Sequence, residues 1–387
     1  MGNKATVGKA TVLLIPLLLL AALSGGGCGG SFFSIAGASP TSGGGPTSAP
    51  TSIGGVGFAY VTNFDGNISE FKLSSTNGSL SLIGTVPGGS ANGPVGIAAH
   101  PSNNFLYVVN FADDLLHQYG VNTTTGELAA IGTISTGTGG GPSGIAVTPS
   151  GNFAYVTNQT SGSIAQYSIG TDGTLTLIGT LSGLSTPQGV TANDSYVFVA
   201  ESGAGMVDSF SIGSTGALTL IGKELVEGTS TGTPSQVVLN PSQGFLYASD
   251  SANGLVAVFT IETGGLLDFS QAFSTGTSSD QPIGLAISPG GTNFYSANFS
   301  ADTVTEYSVI QTGAVLDTIG NVTGLDGPTG IAVNSGGDLV YVTNQRNGTV
   351  SAFSVNVSND RLNYIGSVST ESNGNSGSTP KFIVLVP

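Results

Sequence analysis

The chain of 387 residues is poor in residues on which many enzymes and nucleic-acid-binding proteins depend. It has one cysteine, two histidines and no tryptophan, and only seven Lys and Arg residues stand against 22 Asp and Glu. A lone cysteine cannot form an internal disulfide, and two histidines cannot build a histidine-rich metal site. The net charge of −15 repels phosphate backbones and anionic headgroups, so we expect no nucleic-acid partner and no electrostatic binding to membranes.

Glycine dominates where helix-forming residues are scarce. The chain contains 62 glycines, 7% of its residues are charged and 39% are hydrophobic. Glycine permits tight turns and weakens helices, and the shortage of Glu, Lys and Arg removes many good helix formers. The composition therefore predicts an all-β protein of many short strands, with enough apolar residues for a buried core.

Residues 1–27 predict a signal peptide. Lys4 and Lys9 precede an apolar run from Val12 to Leu23 that is short for a membrane-spanning helix. The segment resembles a bacterial lipoprotein signal, in which Cys28 becomes the lipidated first residue of the mature protein. A plain secretory signal with an incidental cysteine is the alternative. We expect an exported protein, either secreted or held at a bacterial membrane only through a lipid on Cys28.

Residues 28–57 predict a flexible tether. They consist mainly of Gly, Ser, Thr and Pro and show no periodic apolar pattern. The globular domain is therefore expected to span residues 58–387.

A strand of the type FAYVTN recurs roughly every 47 residues. A second aromatic residue follows each copy after a short turn, which predicts a hairpin. Each repeat continues with a TGxLxxIG-like strand and then a strand that begins at proline. Four strands per repeat predict the blade of a β-propeller, and seven repeats predict seven blades. The strand aromatics are Tyr60, Tyr107, Tyr155, Phe198, Tyr247, Tyr295 and Tyr341.

The two ends of the repeat region predict how the ring closes. No proline-led strand precedes Phe58, and an extra one, PKFIVLVP, ends the chain at Pro380–Pro387. If this last strand pairs into the first blade, all seven blades have four antiparallel strands and the ring has no gap.

The motifs YVTN, TGxLxxIG and PxGIAxxPSG resemble the bacterial seven-bladed lactonase-like family. That family includes 6-phosphogluconolactonases and relatives of muconate cycloisomerases, and it shares the YVTN surface-protein repeat. The resemblance implies the fold and suggests lactone hydrolysis. However, residues 58–387 contain five cations for a phosphorylated substrate, namely Lys72, Lys223, Arg346, Arg361 and Lys381, and no Arg and His cluster. We therefore carry over the fold and not the activity.

Polar residues end the second strand of every blade, at the predicted mouth of the central channel. They are Asn63, Asn110, Asn158, Glu201, Asp250, Asn298 and Asn344. One hypothesis is that Arg346 and Lys381, with the five asparagines, bind an anionic ligand while Glu201 or Asp250 acts as general base for a water molecule. The alternative is that the asparagines are turn residues and the two cations are solvated. Glu201 and Asp250 would then be sequence variations of the repeat without a function of their own.

Other candidate chemistry is weak. His100 and His117 are expected at different ends of the blades, which argues against a Ser-His-Asp triad. The strings GTSTG and GGGPSG are expected by chance in a chain so rich in Gly and Ser. We predict no cofactor and no metal site, and the turns FDGN and FADD leave only weak calcium binding open.

The sequence thus favours a lipid-anchored binding or surface-interaction module. Its expected partner is an envelope component, a carbohydrate or a protein. A lactonase that hydrolyses a sugar lactone is the alternative, and a purely structural surface repeat is a third hypothesis.

Overall fold

The computed structural model describes residues 57–91, 93–228, 232–310, 313–371 and 379–387. The predicted signal peptide, Cys28 and almost all of the predicted tether lie outside these ranges. The described residues form 28 strands and one 3₁₀ turn, Val226–Gly228, so the all-β prediction is confirmed. Within the same ranges, no helix has the length and apolarity needed to cross a membrane.

The strands are numbered in chain order, and blade 1 contains β28 with β1 to β3. The first four blades comprise β28 (Pro380–Val386), β1 (Phe58–Asn63), β2 (Asn67–Leu73) and β3 (Leu80–Pro87); β4 (Pro94–Ala99), β5 (Phe105–Asn110), β6 (Leu115–Val121) and β7 (Leu128–Ser135); β8 (Pro142–Val147), β9 (Phe153–Asn158), β10 (Ser163–Ile169) and β11 (Leu175–Ser182); and β12 (Pro187–Ala192), β13 (Tyr196–Glu201), β14 (Met206–Ile212) and β15 (Leu218–Leu225).

Blades 5 to 7 follow the same plan. They comprise β16 (Pro234–Leu239), β17 (Phe245–Asp250), β18 (Leu255–Ile261) and β19 (Leu267–Ser274); β20 (Pro282–Ile287), β21 (Asn293–Asn298), β22 (Thr303–Ile310) and β23 (Val315–Val322); and β24 (Pro328–Val333), β25 (Leu339–Asn344), β26 (Thr349–Val355) and β27 (Leu362–Ser369).

Each blade is a four-stranded antiparallel sheet, and the last strand of the chain closes the ring. In blade 1 the strand order is β28, β1, β2, β3. Strand β28 pairs antiparallel with β1, with Phe58 opposite Val386 and Val61 opposite Ile383. The seven-bladed propeller and its predicted closure are confirmed. Because this closure uses only residues 57–387, that segment contains the complete ring.

The hydrophobic core lies between neighbouring blades. Tyr60 of blade 1, for example, belongs to the same buried cluster as Ile97 and Leu106 of blade 2. Side chains alternate between the two faces of a strand. Each blade therefore contributes one face to the cluster it shares with the preceding blade and the other face to the cluster it shares with the next blade. Burial of apolar surface on both faces of every blade therefore stabilises the ring.

The repeated FAYVTN sequence follows from contacts between blades. The strand tyrosine donates its hydroxyl to the carbonyl of a turn residue in the next blade. This bond is present at Tyr60–Gly126, Tyr107–Gly173, Tyr155–Gly216, Tyr247–Gly313 and Tyr341–Gly78, at 2.8 or 2.9 Å. The accepting glycines all have positive φ, a backbone conformation that glycine adopts without strain.

The threonine of the same motif joins the inner strands. Thr62 Oγ1 donates to the carbonyl of Val95 at 2.8 Å, and Thr343 Oγ1 donates to that of Lys381 at 3.0 Å. Both acceptors lie on the innermost strand of the next blade. Repeating one strand sequence therefore repeats two of the hydrogen bonds that join adjacent blades.

Candidate functional site

The seven polar residues predicted at the mouth do lie on one face of the ring. Each ends the second strand of its blade directly opposite the proline that begins the innermost strand. The pairs are Pro380–Asn63, Pro94–Asn110, Pro142–Asn158, Pro187–Glu201, Pro234–Asp250, Pro282–Asn298 and Pro328–Asn344. We call this end of the channel the mouth.

The five asparagines of this set are buried, and their side chains form hydrogen bonds with neighbouring strands and turns. Asn110 Nδ2 donates to the carbonyls of Gly88 and Ser90, both at 3.0 Å, and its Oδ1 accepts the N–H of Ala112 at 3.0 Å. Asn63 Nδ2 donates to Ser69 Oγ at 2.7 Å. Asn158, Asn298 and Asn344 make equivalent side-chain hydrogen bonds. This geometry places the amide groups inside the blade edges, where each Nδ2 donates to a turn or strand oxygen. The Oδ1 atoms of Asn63, Asn158 and Asn344 are buried and have no hydrogen-bond partner among the described residues.

The carboxylate of Asp250 also accepts hydrogen bonds from nearby backbone N–H groups. It is fully buried, and its Oδ1 accepts the N–H groups of Thr233 at 2.9 Å and Ala252 at 3.2 Å. Its Oδ2 accepts from Asn253 Nδ2 at 2.9 Å. Asp250 therefore orders the turn that follows β17. Burial, and then the charge of Asp250, raise the pKa of nearby Glu227.

Glu201 lies in a charge cluster with Asp208 and Lys223, in which the two carboxylates are buried and Lys223 is partly exposed. Lys223 Nζ lies 2.7 Å from Glu201 Oε1 and 2.6 Å from Asp208 Oδ2. Asp208 is on β14 directly opposite Lys223 on β15. In blade 1, the equivalent pair on β2 and β3 is Ser69 and Thr85. Three uncharged side chains of the repeat are thus replaced together in blade 4 by two carboxylates and one ammonium.

The charge cluster changes the pKa values of Asp208 and Lys223. Burial, followed by its hydrogen bond with Glu201, raises the pKa of Asp208 to about 7. Burial opposes the ammonium form of Lys223, but hydrogen bonds to Asp208 and Glu201 raise its pKa overall. Asp208 therefore holds its proton to a higher pH than an exposed aspartate does.

The structure gives the two candidate cations different surroundings. Arg346 forms an ion pair with Asp302, and its guanidinium lies 4.5 Å from the ring centroid of Phe299. Its side chain is 41% exposed. Lys381 on β28 is buried, with Nζ 5.1 Å from the ring centroid of Phe64. Both cations therefore contact aromatic side chains at the mouth.

The residues that border the mouth are the ones that follow the second strands. The backbone N–H of each bonds the carbonyl just before the innermost strand of the same blade, and each side chain is half-buried. We call this set the rim. It consists of Phe64, Phe111, Gln159, Ser202, Ser251, Phe299 and Gln345. The sequence analysis missed the rim, although each of its residues directly follows the polar residue that ends a second strand and could have been recognised by that position.

A second pair of carboxyls lies between blades 7 and 1. Burial, followed by a hydrogen bond with Asp65, raises the pKa of Glu371. Asp65 is in the FDGN turn, next to Phe64 of the rim. Glu371 therefore holds its proton to a higher pH than an isolated glutamate does.

The histidines and the FADD turn contribute to local structure. His117 Nε2 lies 3.3 Å from Asp113 Oδ2. The Asp114 carboxylate accepts the N–H groups of Gly139 at 2.6 Å and Gly141 at 2.8 Å, so it holds the next blade's loop. His100, at the other end of the blades, has its pKa lowered by burial. No group of three or more potential metal ligands was found among the described residues.

A family model for the seven-bladed β-propeller lactonases matches residues 65–232 and 224–320. These two matches together span well over half of the chain. The chain belongs to this lactonase family. The resemblance inferred from the repeated motifs is therefore confirmed. A search of curated protein sequences found no match.

Solved structures of the lactonase family have the same fold. A candidate 6-phosphogluconolactonase from Bacteroides fragilis is 20% identical, with a TM-score of 0.76, over 88% of this chain and 100% of its own. The periplasmic gluconolactonase of Pseudomonas aeruginosa is 18% identical, with a TM-score of 0.74, over 86% of this chain and 99% of its own. At such low identity, these likenesses establish the fold alone.

Proposed function

We propose that this lactonase-family propeller acts as a binding module and that its ligand contacts the rim. The observation that carries the proposal is the make-up of the rim, which has three phenylalanines, two glutamines and two serines and no charged residue. All seven side chains are half-buried and therefore keep a solvent-facing part. A concave site with apolar faces and a few convergent polar groups is the usual form of a small-ligand site.

The chemistry of the rim favours an uncharged, hydroxyl-rich ligand such as a sugar. Phenylalanine rings offer apolar faces, and the amide of Gln345 can both donate and accept hydrogen bonds. The amide oxygen of Gln159 is buried and has no hydrogen-bond partner among the described residues. The acidic net charge of the chain disfavours polyanions by repulsion. A neutral carbohydrate of the cell envelope therefore fits better than a nucleic acid or a polyphosphate.

We further propose that the protein works outside the cytoplasm. The basic start, apolar run and small residues before Cys28 support export, and Cys28 itself supports attachment through a lipid. A propeller anchored in this way would present its rim to envelope carbohydrates or proteins. Metabolic labelling with a fatty-acid analogue tests the anchor, since Cys28→Ala should abolish the label while the propeller itself is unchanged.

A lactone hydrolase is the second candidate. Membership in the lactonase family favours it, as does the shared fold with a periplasmic gluconolactonase. Against it stand the positions of the two predicted bases, because Glu201 is ion-paired to Lys223 and Asp250 accepts hydrogen bonds from its own turn. A general base needs an oxygen aimed at the substrate. Glu201 and Asp250 instead use carboxylate oxygens for contacts within the protein, with Lys223 and with the backbone of Ala252.

Binding to neutral oligosaccharides and soluble peptidoglycan fragments tests the leading proposal. We expect Gln159→Ala, Gln345→Ala and Phe299→Ala to weaken binding. Tyr364→Ala is the matched control, because Tyr364 is a 62% exposed aromatic on outer strand β27. Equal binding by all rim variants, with folding checked by thermal unfolding, would refute a ligand site at the rim.

A further inference from the structure

Two carboxyl groups meet at the seam between blades 7 and 1. Asp65 lies in the FDGN turn that follows β1, and Glu371 lies just beyond β27. A hydrogen bond joins their side chains, and Asp65 Oδ1 is buried without a hydrogen-bond partner among the described residues. Two acidic groups are therefore held together across the boundary between two blades.

A third oxygen at this seam belongs to Asn63, which ends β1 and is fully buried. Its Nδ2 donates to Ser69 Oγ, and Ser69 donates in turn to the carbonyl of Thr370. Thr370 directly precedes Glu371, so these hydrogen bonds place the Asn63 amide beside the end of β27. The Oδ1 of Asn63 has no partner among the described residues, and leaving a buried acceptor without one is unfavourable.

Equivalent side chains in other blades indicate where this oxygen points. Asn110 Oδ1 accepts the N–H of the residue two positions on, Ala112, and Asp250 Oδ1 does the same within its own turn. In blade 1 the residue two positions on is Asp65. The unpartnered oxygen of Asn63 therefore faces the turn that carries the Asp65 carboxyl.

An acidic partner distinguishes blade 1 from the two blades with the same unpartnered amide oxygen. Those oxygens belong to Asn158 and Asn344, and the residues two positions on are Thr160 and Arg346. A threonine adds no charge, and a guanidinium repels a cation. Among these three blades, a carboxylate follows the amide at this position in blade 1 only.

We propose that this seam binds a calcium ion, with Asp65, Glu371 and the Oδ1 of Asn63 as its side-chain ligands. Calcium takes carboxylate and amide oxygens together with backbone carbonyls and waters. The described residues form no group of three or more His, Cys, Asp or Glu side chains that could hold a metal. This set has two carboxylates, and the amide is its third ligand. Two carboxylates predict weak binding, with a Kd on the order of 0.1–1 mM, as in extracellular modules.

A bound ion joins the two blades at which the ring closes, because Glu371 belongs to blade 7 and Asp65 to blade 1. Lys381, on neighbouring strand β28, lies against the ring of Phe64, whereas the charge that the structure shows acting on Glu371 is that of Asp65. The three ligands include no residue of the rim. The calcium site is therefore independent of the proposed saccharide ligand.

Thermal unfolding of residues 57–387, which contain the complete ring, tests the site. At constant ionic strength, about 5 mM calcium chloride should raise the melting temperature by about 2 °C. The same concentration of magnesium chloride should have a smaller effect, because Mg²⁺ releases its waters reluctantly. Asp65→Asn and Glu371→Gln should each remove most of the calcium shift. Asp113→Asn is the matched control, since it removes one carboxylate from FADD, the equivalent turn of blade 2, and should leave the shift unchanged.

Three results would overturn the proposal: no calcium shift in the parent domain, an equal shift with magnesium, or a shift that survives both substitutions. Loss of the shift in Asp113→Asn as well would also overturn it, because calcium would then act by neutralising an acidic surface in general. Saccharide binding at the rim has a different readout, so either proposal can fail without the other.

Discussion

The hydroxyl of Tyr341 donates a 2.8 Å hydrogen bond to the carbonyl of Gly78, 263 residues away in the chain. Tyr341 lies on β25 of the last blade, and Gly78 lies in the turn before β3 of the first. The same bond joins other successive blades, so the seam where the ring closes is built like those seams. Ring closure thus relies on the repeat itself as well as on the added strand β28.

Tyr341→Phe should lower the free energy of unfolding by about 1–3 kcal/mol, because it leaves a buried carbonyl without its donor. Tyr295→Phe is the matched control. Tyr295 is equally buried, but its hydroxyl has no hydrogen-bond partner among the described residues. Chemical denaturation measures both. Similar losses in the two variants would show that the tyrosine hydroxyl does not join the blades.

Glycine in the inner strands lets neighbouring blades approach each other closely. A Cβ on Gly284 would lie 2.1 Å from the carbonyl oxygen of Thr329 in the next blade. Gly284→Ala should therefore destabilise the domain by at least about 2 kcal/mol through overpacking. Gly179→Ala, where a Cβ would meet nothing within 4 Å, should be nearly neutral. Thermal unfolding compares them, and a tolerated Gly284→Ala would contradict the close approach.

The fold could be predicted because each strand motif recurs in several repeats of the sequence. Tyr60, Tyr155 and Tyr341 occupy one position of one strand, and a missing first strand matched by an extra last one, Pro380–Pro387, indicates closure. Single-blade features were harder to read. The contact of Lys223 with Glu201 depends on strand register and side-chain reach across a sheet, and one sequence shows neither.

The charge cluster of blade 4 should behave as a unit. Lys223→Thr leaves two buried carboxylates without their cation and should cost about 3 kcal/mol, the lower end for a buried pair because Lys223 is partly exposed. The triple change Glu201→Asn, Asp208→Ser, Lys223→Thr recreates the blade 1 set and should recover most of this loss. Lys72→Thr on β2 serves as the control, since Lys72 is exposed. Additive losses across the three sites would argue against a coupled cluster.

Asp208 should make stability depend on pH. Its pKa in the folded protein is raised to about 7, above that of an unfolded chain, so the folded state holds a proton that the unfolded state has released. The stability from this proton is present at acidic pH and is lost as pH rises towards 7, at up to about 1.4 kcal/mol per pH unit. Asp208→Asn should flatten this slope between about pH 4, near the pKa of an aspartate in an unfolded chain, and pH 7. An unchanged slope would mean that Asp208 is already ionised in the fold.

The most direct test of the central claim is lactone hydrolysis by residues 57–387. The assay compares a phosphorylated and an unphosphorylated sugar lactone, with Glu201→Gln and Asp250→Asn beside the parent protein. Because both carboxylates are held by contacts within the blade edges, we predict rates no faster than buffer from a folded parent domain. Turnover by the parent that either variant abolishes would contradict the binding-module account and place a catalytic base at the mouth.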